Sequence, residues 1–156
     1  MKQIKQIRRI PVTREGFEKL KRDYDDLKKI RPQAVDTLSD ARKMGDLSEN
    51  GLYTAAKMRL KSIDSQMFRI SIQIKLADII EENKSGVIGI NSKVKIDDGV
   101  SQRTLHIVGR FEADPVNDKI SSNSPIGRGL LRKKSGDTVE IVTPSGKRIY
   151  KILEVF

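Results

Sequence analysis

The chain has 156 residues, with 31 Lys and Arg against 21 Asp and Glu, for a formal net charge of +10. That length holds one domain of ordinary size or two small ones, and the charge favours a polyanionic or acid-rich partner. The absence of cysteine excludes disulfides and thiolate chemistry. No apolar run reaches the length of a membrane span or follows the basic opening Met1 to Arg9 as a signal would, so a soluble, cytoplasmic protein is expected.

Ile10-Pro11-Val12 reads as an extended lead-in to a helix. Thr13 is placed as its N-cap, and Val12 and Phe17 are spaced to staple across it. Apolar residues then recur in steps of three and four at Phe17, Leu20, Tyr24 and Leu27, and again at Ala34, Leu38 and Ala41, with Arg31 at the position between. That is the stripe of a helix packed against one partner helix. Pro32 lies inside the run and removes a backbone donor. Because the stripe keeps its phase across it, a bent helix is expected rather than a stop. Gly45 ends the pattern.

A second stripe, Ala56, Leu60, Ile63, Met67, Ile70, Ile74 and Ala77, alternates steps of four and three without error. Two such stripes joined by a short break predict an antiparallel coiled-coil hairpin, each arm about 45 Å long at 1.5 Å per residue. Residues 1–84 are assigned to this hairpin, with its tip at 45–50.

The tip reads Gly45-Asp46-Leu47-Ser48-Glu49-Asn50, followed by Tyr53. Asp46 and Glu49 have the spacing of a capping box, and a helix N-terminus favours their charge. The same two carboxylates also sit where a long narrow hairpin would present them to another molecule. Spacing alone leaves both readings open. Lys57 and Lys61, with Arg59 beside them and Arg42 and Lys43 approaching from the first helix, form either a solvated flank or a track for a phosphate backbone. Little aromatic interleaving accompanies them, so neither base stacking nor sequence readout is suggested.

After Gly86 the period changes to two. Val94 and Ile96, then Leu105 and Ile107, flank Asp97-Asp98-Gly99 as a hairpin. Asn123-Ser124-Pro125 precedes a short apolar helix from Ile126 to Leu131, Ser135-Gly136-Asp137 is a turn, and Val139 to Val155 folds back at Pro144-Ser145-Gly146. Residues 85–156 thus form a compact α+β module. No nucleophile constellation is present. The single histidine, His106, alternates with Leu105 and Ile107 and reads as structural, and a zinc site has no ligand set.

The segment from Met44 to Tyr53 resembles the tip motif of the bacterial Gre transcript cleavage factors. Ile120 to Leu131 resembles their C-terminal signature, Thr143-Pro144-Ser145-Gly146 their last turn, and Pro11 to Leu20 their opening. Arg59 to Asp64, Asp97 to Val100 and the basic balance lean towards GreB rather than GreA. The resemblance implies an FKBP-like antiparallel sheet domain with a short helix behind the coiled coil. It implies an accessory factor, not an enzyme in itself. Such a factor enters the secondary channel of RNA polymerase, beside the largest subunit, and stimulates cleavage of backtracked nascent RNA 3′ ends. Asp46 and Glu49 would take the catalytic role by sharing a Mg²⁺ with the polymerase. Ser48, Asn50 and Tyr53 would support the tip, while Arg42, Lys43, Lys57, Arg59 and Lys61 would follow RNA. Ser124, Pro125 and Arg128 would contact the polymerase. A monomer with only weak non-specific nucleic-acid affinity is expected.

Three rivals remain: a channel-entering regulator without cleavage, an FKBP-like prolyl isomerase, and a generic basic coiled coil that binds nucleic acid. Retention of both acids argues against the first. Phe111, Tyr150 and Phe156 are too few to line the apolar aromatic pocket of the second. The third requires tight binding to free duplex DNA.

Overall fold

The computed structural model describes residues 9–44, 51–143 and 146–156. The chain divides into two compact units, Phe17–Leu76 and a second formed by Met1–Gly16 with Ala77–Phe156. Each is considered by itself.

The helical unit is built from α1 (Arg14–Lys43, from Phe17 onward) and α2 (Gly51–Leu76). From Phe17 to Lys43 the stripe residues are the only ones shielded from solvent. Ala34 is 1% exposed, and its counterparts Ala56 and Ile63 on α2 are 5% and 4% exposed. Burial of one seam, rather than helix propensity, therefore holds these two helices. α1 continues through Pro32, as the unbroken phase implied. Two cross-helix contacts fix an antiparallel register. Arg31 Nε donates to Asp64 at 2.7 Å, and the Arg42 guanidinium lies 5.9 Å from the Tyr53 ring centre. Moving up α1 from Arg31 to Arg42 moves back along α2 by the same number of residues. Arg31, the one polar heptad position, is thus used to pair the helices.

One element departs from the helical reading. The stripe runs on to Ala77, yet α2 stops at Leu76, and Ala77–Ile80 is a strand, β2. It pairs in parallel with β1 (Ile10–Thr13), Ile10 opposite Ala77 and Thr13 opposite Ile80. The helical unit therefore closes before the 84/85 division drawn from the sequence. Thr13 is the expected cap, its Oγ1 accepting from Gly16 N–H at 3.0 Å. The lead-in is held from outside as well. Glu112 accepts from Thr13 N–H at 3.0 Å with one carboxylate oxygen and from the Thr13 hydroxyl with the other.

The second unit carries a five-stranded sheet in the order β5-β4-β3-β7-β6. Its strands are β3 (Lys93–Asp97), β4 (Gln102–Val108), β5 (Lys119–Ser121), β6 (Thr138–Thr143) and β7 (Gly146–Val155). The two hairpins fall where the sequence placed them, with Asp97 opposite Gln102 and Thr143 opposite Gly146. The sheet is mixed rather than wholly antiparallel, because β5 runs parallel to β4 after the crossover through residues 109–118. Alternate residues Val94 and Ile96, Leu105 and Ile107, Val139 and Ile141, and Tyr150 and Ile152 meet on one face to form the core with Ile88 and Leu130.

Leu130 comes from α3 (Pro125–Leu130), and its approach to the sheet is close. Ser124 Oγ accepts from Gly127 N–H at 3.0 Å and donates to the Ser121 carbonyl at 2.8 Å. A Cβ at Gly127 would lie 2.0 Å from that same carbonyl oxygen, so only glycine fits. Replacing Gly127 with Ala should force α3 away from β5 and cost about 1–3 kcal/mol, the usual penalty for overpacking. Urea unfolding of the two proteins measures this, and equal midpoints would show that α3 can shift without loss.

Candidate functional site

The acids Asp46 and Glu49, with Ser48 and Asn50, lie outside the described residues. The helix ends that carry them are described. α1 ends at Lys43 and α2 begins at Gly51, so the tip segment joins two helices already paired in register. Tyr53, in the first turn of α2, is half-buried. It stands between two cations, with Arg42 at 5.9 Å and Lys57 Nζ at 6.0 Å from its ring centre. Both are at cation–π distance, and this holds the ring against the helix pair.

The basic residues divide. Lys57 and Lys61 are one turn apart on one flank of α2. Arg59 is two residues from each, about 200° or 160° round the helix at 3.6 residues per turn, and so lies on the opposite flank. Of the five basic residues named from the sequence, Lys57 and Lys61 therefore share a flank that Arg59 does not. Lys43 is taken up by Asp40 at 2.9 Å. Asp64, three residues beyond Lys61, is paired with Arg31 across the helices. Lys61 has no ion pair among the described residues.

The signature segment is largely architectural. Ser124 caps α3, Gly127 lets the chain approach Ser121, Gly129 faces Ile141, and Leu130 is buried. The side chains it leaves in solvent include Pro125 and Arg128, two of the three contact residues expected there. The third, Ser124, is engaged in its cap.

A cavity of about 210 Å³ lies on the core side of the sheet, lined by Ile96, Leu105, Ile120, Ile126 and Tyr150, with Arg103 and Arg148 at its edge. It contains a single aromatic side chain. Phe111 is exposed and Phe156 lines a different cleft, so the aromatic box a prolyl isomerase requires is not assembled.

His106 takes part in the hydrogen bonding of the fold, as its strand setting suggested. Its Nε2 is 2.9 Å from Asn91 Oδ1, while Asn91 Nδ2 donates to the Ile80 carbonyl at 3.0 Å. That orientation makes Asn91 Oδ1 the acceptor and places the proton on Nε2. The bridge ties β4 to β2 and holds Asn91 in a left-handed conformation, at φ 67°. Glu112 and Asn91, which join the first strands to the sheet, were not singled out from the sequence. Both are isolated polar residues in loops, and only the fold reveals their partners. Among the described residues, no three histidine or acidic side chains converge to hold a metal.

The profile described as "Transcription elongation factor, N-terminal" matches residues 10–79, and that described as "Transcription elongation factor, GreA/GreB, C-term" matches residues 82–156. Transcription elongation factor GreA of Clostridium botulinum strain Hall is 38% identical over 149 residues, covering 92% of this chain and 93% of that protein. GreA of Thermomicrobium roseum is 38% identical over 151 residues, covering 94% and 97%. Both relatives are GreA proteins and lend the leaning towards GreB no support. Among solved structures, GreA factor homolog 1 (Gfh1) of Thermus thermophilus is 26% identical over 96% of this chain and 99% of its own, with a TM-score of 0.46.

Burial first, then the charges of Lys93 and Lys119, hold the His106 imidazole below its ordinary value of 6.5, against the weaker opposing pull of Glu112 and Glu15. The unfolded chain therefore takes up this proton before the folded one does. The stability that neutral His106 contributes is fully present above the ordinary value and is lost as pH falls below it through the folded value. Urea unfolding at several values between about pH 5 and 8 should show that decline, with a shallower slope for His106→Gln. Equal slopes would remove His106 from the pH response.

Proposed function

The chain belongs to the GreA/GreB family of transcription elongation factors, and from that premise we propose that it enters the secondary channel of bacterial RNA polymerase and stimulates the polymerase's own cleavage of backtracked RNA 3′ ends. The observation that carries this reading is the helix pair. Its register makes residues 44–50 the join between α1 and α2, and that join holds both tip acids. The chain acts here as an accessory factor, with the nucleolytic centre belonging to the polymerase. It acts as a monomer in the cytoplasm, and no helix among the described residues is long and apolar enough to cross a membrane.

Asp46 and Glu49 would hold a Mg²⁺ jointly with the polymerase. Two carboxylates are the hard oxygen donors this ion takes, and since it normally also requires substrate phosphate and water, two of them make a share of a site. When bound, the ion supplies Lewis-acid activation for phosphodiester hydrolysis. The protein's own part is positional. Ser48 and Asn50 would support the tip, and Tyr53, with Arg42 and Lys57 at cation–π distance from its ring, steadies the first turn of α2. Lys57, Lys61 and Arg42 offer charge to the extruded RNA backbone from one flank. Pro125 and Arg128 are the exposed signature residues for contact with the polymerase, at the largest subunit, with Ser124 holding their helix in place.

Asp46→Ala or Glu49→Ala should lower cleavage in backtracked complexes by more than the roughly 10–100-fold that loss of a partner behind a metal ligand costs, while polymerase binding persists. Transcript shortening in stalled elongation complexes, with a parallel binding assay, tests this. Wild-type cleavage by both variants would end the metal role. Charge reversal at Lys57 and Lys61 should weaken action on long extruded RNA more than on short, with Arg59 reversal having the smaller effect. Equal losses at both lengths would dismiss the flank as an RNA track.

A further inference from the structure

Four neighbouring strands set four side chains in a row across the outer face of the sheet. Lys93 pairs with His106, and His106 pairs with Lys119. Phe156, just beyond β7, donates its N–H to the Lys93 carbonyl at 2.8 Å. Directly paired residues stand on the same face of a sheet, and strands about 4.8 Å apart give this row a span of roughly 14 Å. All four side chains line one open cleft of about 1170 Å³.

Two lysines flank the His106 ring on this ladder, and a third positive charge placed there without an anion is repelled by both. Lys119 is compensated by Glu15 at 2.9 Å. His106 is hydrogen-bonded to Asn91 only, and Lys93 has no ion pair among the described residues. The other acids of the cleft are partly engaged. Glu81 is with Arg14 at 3.2 Å and Asp118 with Arg103, which leaves Glu82 without an ion pair among the described residues. Thr104 and Asn117 add neutral hydrogen-bonding groups to the wall. The cleft is too large for a single phosphate, and its aromatic ring lies at one end of the cationic row.

We propose that this cleft binds a nucleoside polyphosphate, with the phosphates across Lys93, His106 and Lys119 and the base against the Phe156 ring. Lysine ammonium groups and a protonated imidazole are charge-assisted donors to phosphate oxygens, and an aromatic face accepts any base. Binding moves Lys119 from Glu15 to the ligand. His106 faces Lys93 on β3, Lys119 on β5, Glu112 from the loop before β5 and Glu15 from the start of α1. An anion among them favours the imidazolium, so affinity rises as pH falls. The site is separate from the tip acids, and it stands or falls independently of the role given to them.

Calorimetric titration of the full chain with ADP, ATP, pyrophosphate and a short single-stranded oligonucleotide tests this. One saturable site for ADP and ATP is expected, tighter at roughly pH 6 than at pH 8, with His106→Gln losing that dependence. Lys93→Ala should weaken ADP binding by about tenfold, the loss of one charge-assisted contact. Phe156→Ala should bring ADP down to the affinity of pyrophosphate, and Glu15→Gln should tighten binding. Lys93 is exposed, and a thermal melt checks that its variant is folded. Lys119→Ala provides the second test of the row. Absence of saturation at millimolar ADP, unchanged affinity in Lys93→Ala and Lys119→Ala, or an oligonucleotide preferred over ADP would each overturn the proposal.

Discussion

The register between α1 and α2 is the constraint on which the functional reading rests. A seam of alternating three- and four-residue steps fixes which faces meet, but a heptad slip would satisfy it nearly as well. The discrimination comes from polar contacts. Arg31 occupies a seam position and reaches Asp64, and Arg42 reaches Tyr53 in the same register. Exposed pairs of this kind add little to stability, and their value here is in selecting one alignment. With that alignment set, residues 44–50 are committed to the join between the helices.

In the sheet unit the same division between apolar cohesion and polar specification recurs. The core of valines, isoleucines and leucines holds the strands, while single polar side chains decide where the flanking segments go. Glu112 takes both donors of Thr13, and Asn91 links His106 to the Ile80 carbonyl. These polar atoms are satisfied. No buried side-chain nitrogen or oxygen among the described residues lacks a partner, as a specified interior requires.

The helices and the two hairpins were legible because their signals are local. The stripe residues named from spacing are the shielded residues of α1 from Phe17 onward, and Asp97-Asp98-Gly99 marks its hairpin by turn chemistry alone. The misread stretch is instructive. Ala77 keeps the phase of the stripe, yet its segment becomes a strand because Ile10–Thr13, distant in sequence, lies alongside it. Periodicity cannot register a partner that far away. The parallel β4–β5 pair escaped for a similar reason, since β5 has only three residues and its neighbour is reached by a crossover. Around the tip, residue types alone singled out the basic side chains, and only the helix of α2 separates Arg59 from the flank of Lys57. The Phe156-Lys93-His106-Lys119 row is invisible in the sequence, since three members come from different strands and the fourth follows another.

The alanines of the seam carry one more implication. Ala34, Ala41 and Ala56 fall in the half of each helix nearer the join, among the larger Leu38, Leu60 and Ile63, whereas the other half carries Phe17, Leu20, Tyr24, Met67, Ile70 and Ile74. Helix axes approach to about 8 Å rather than 10 Å when the facing side chains are small. Leucine at those positions would bury more apolar area and hold the helices more firmly. A larger side chain at any of the three would have to spread the axes to be accommodated, so the closeness of the pair there is set by what these positions leave out.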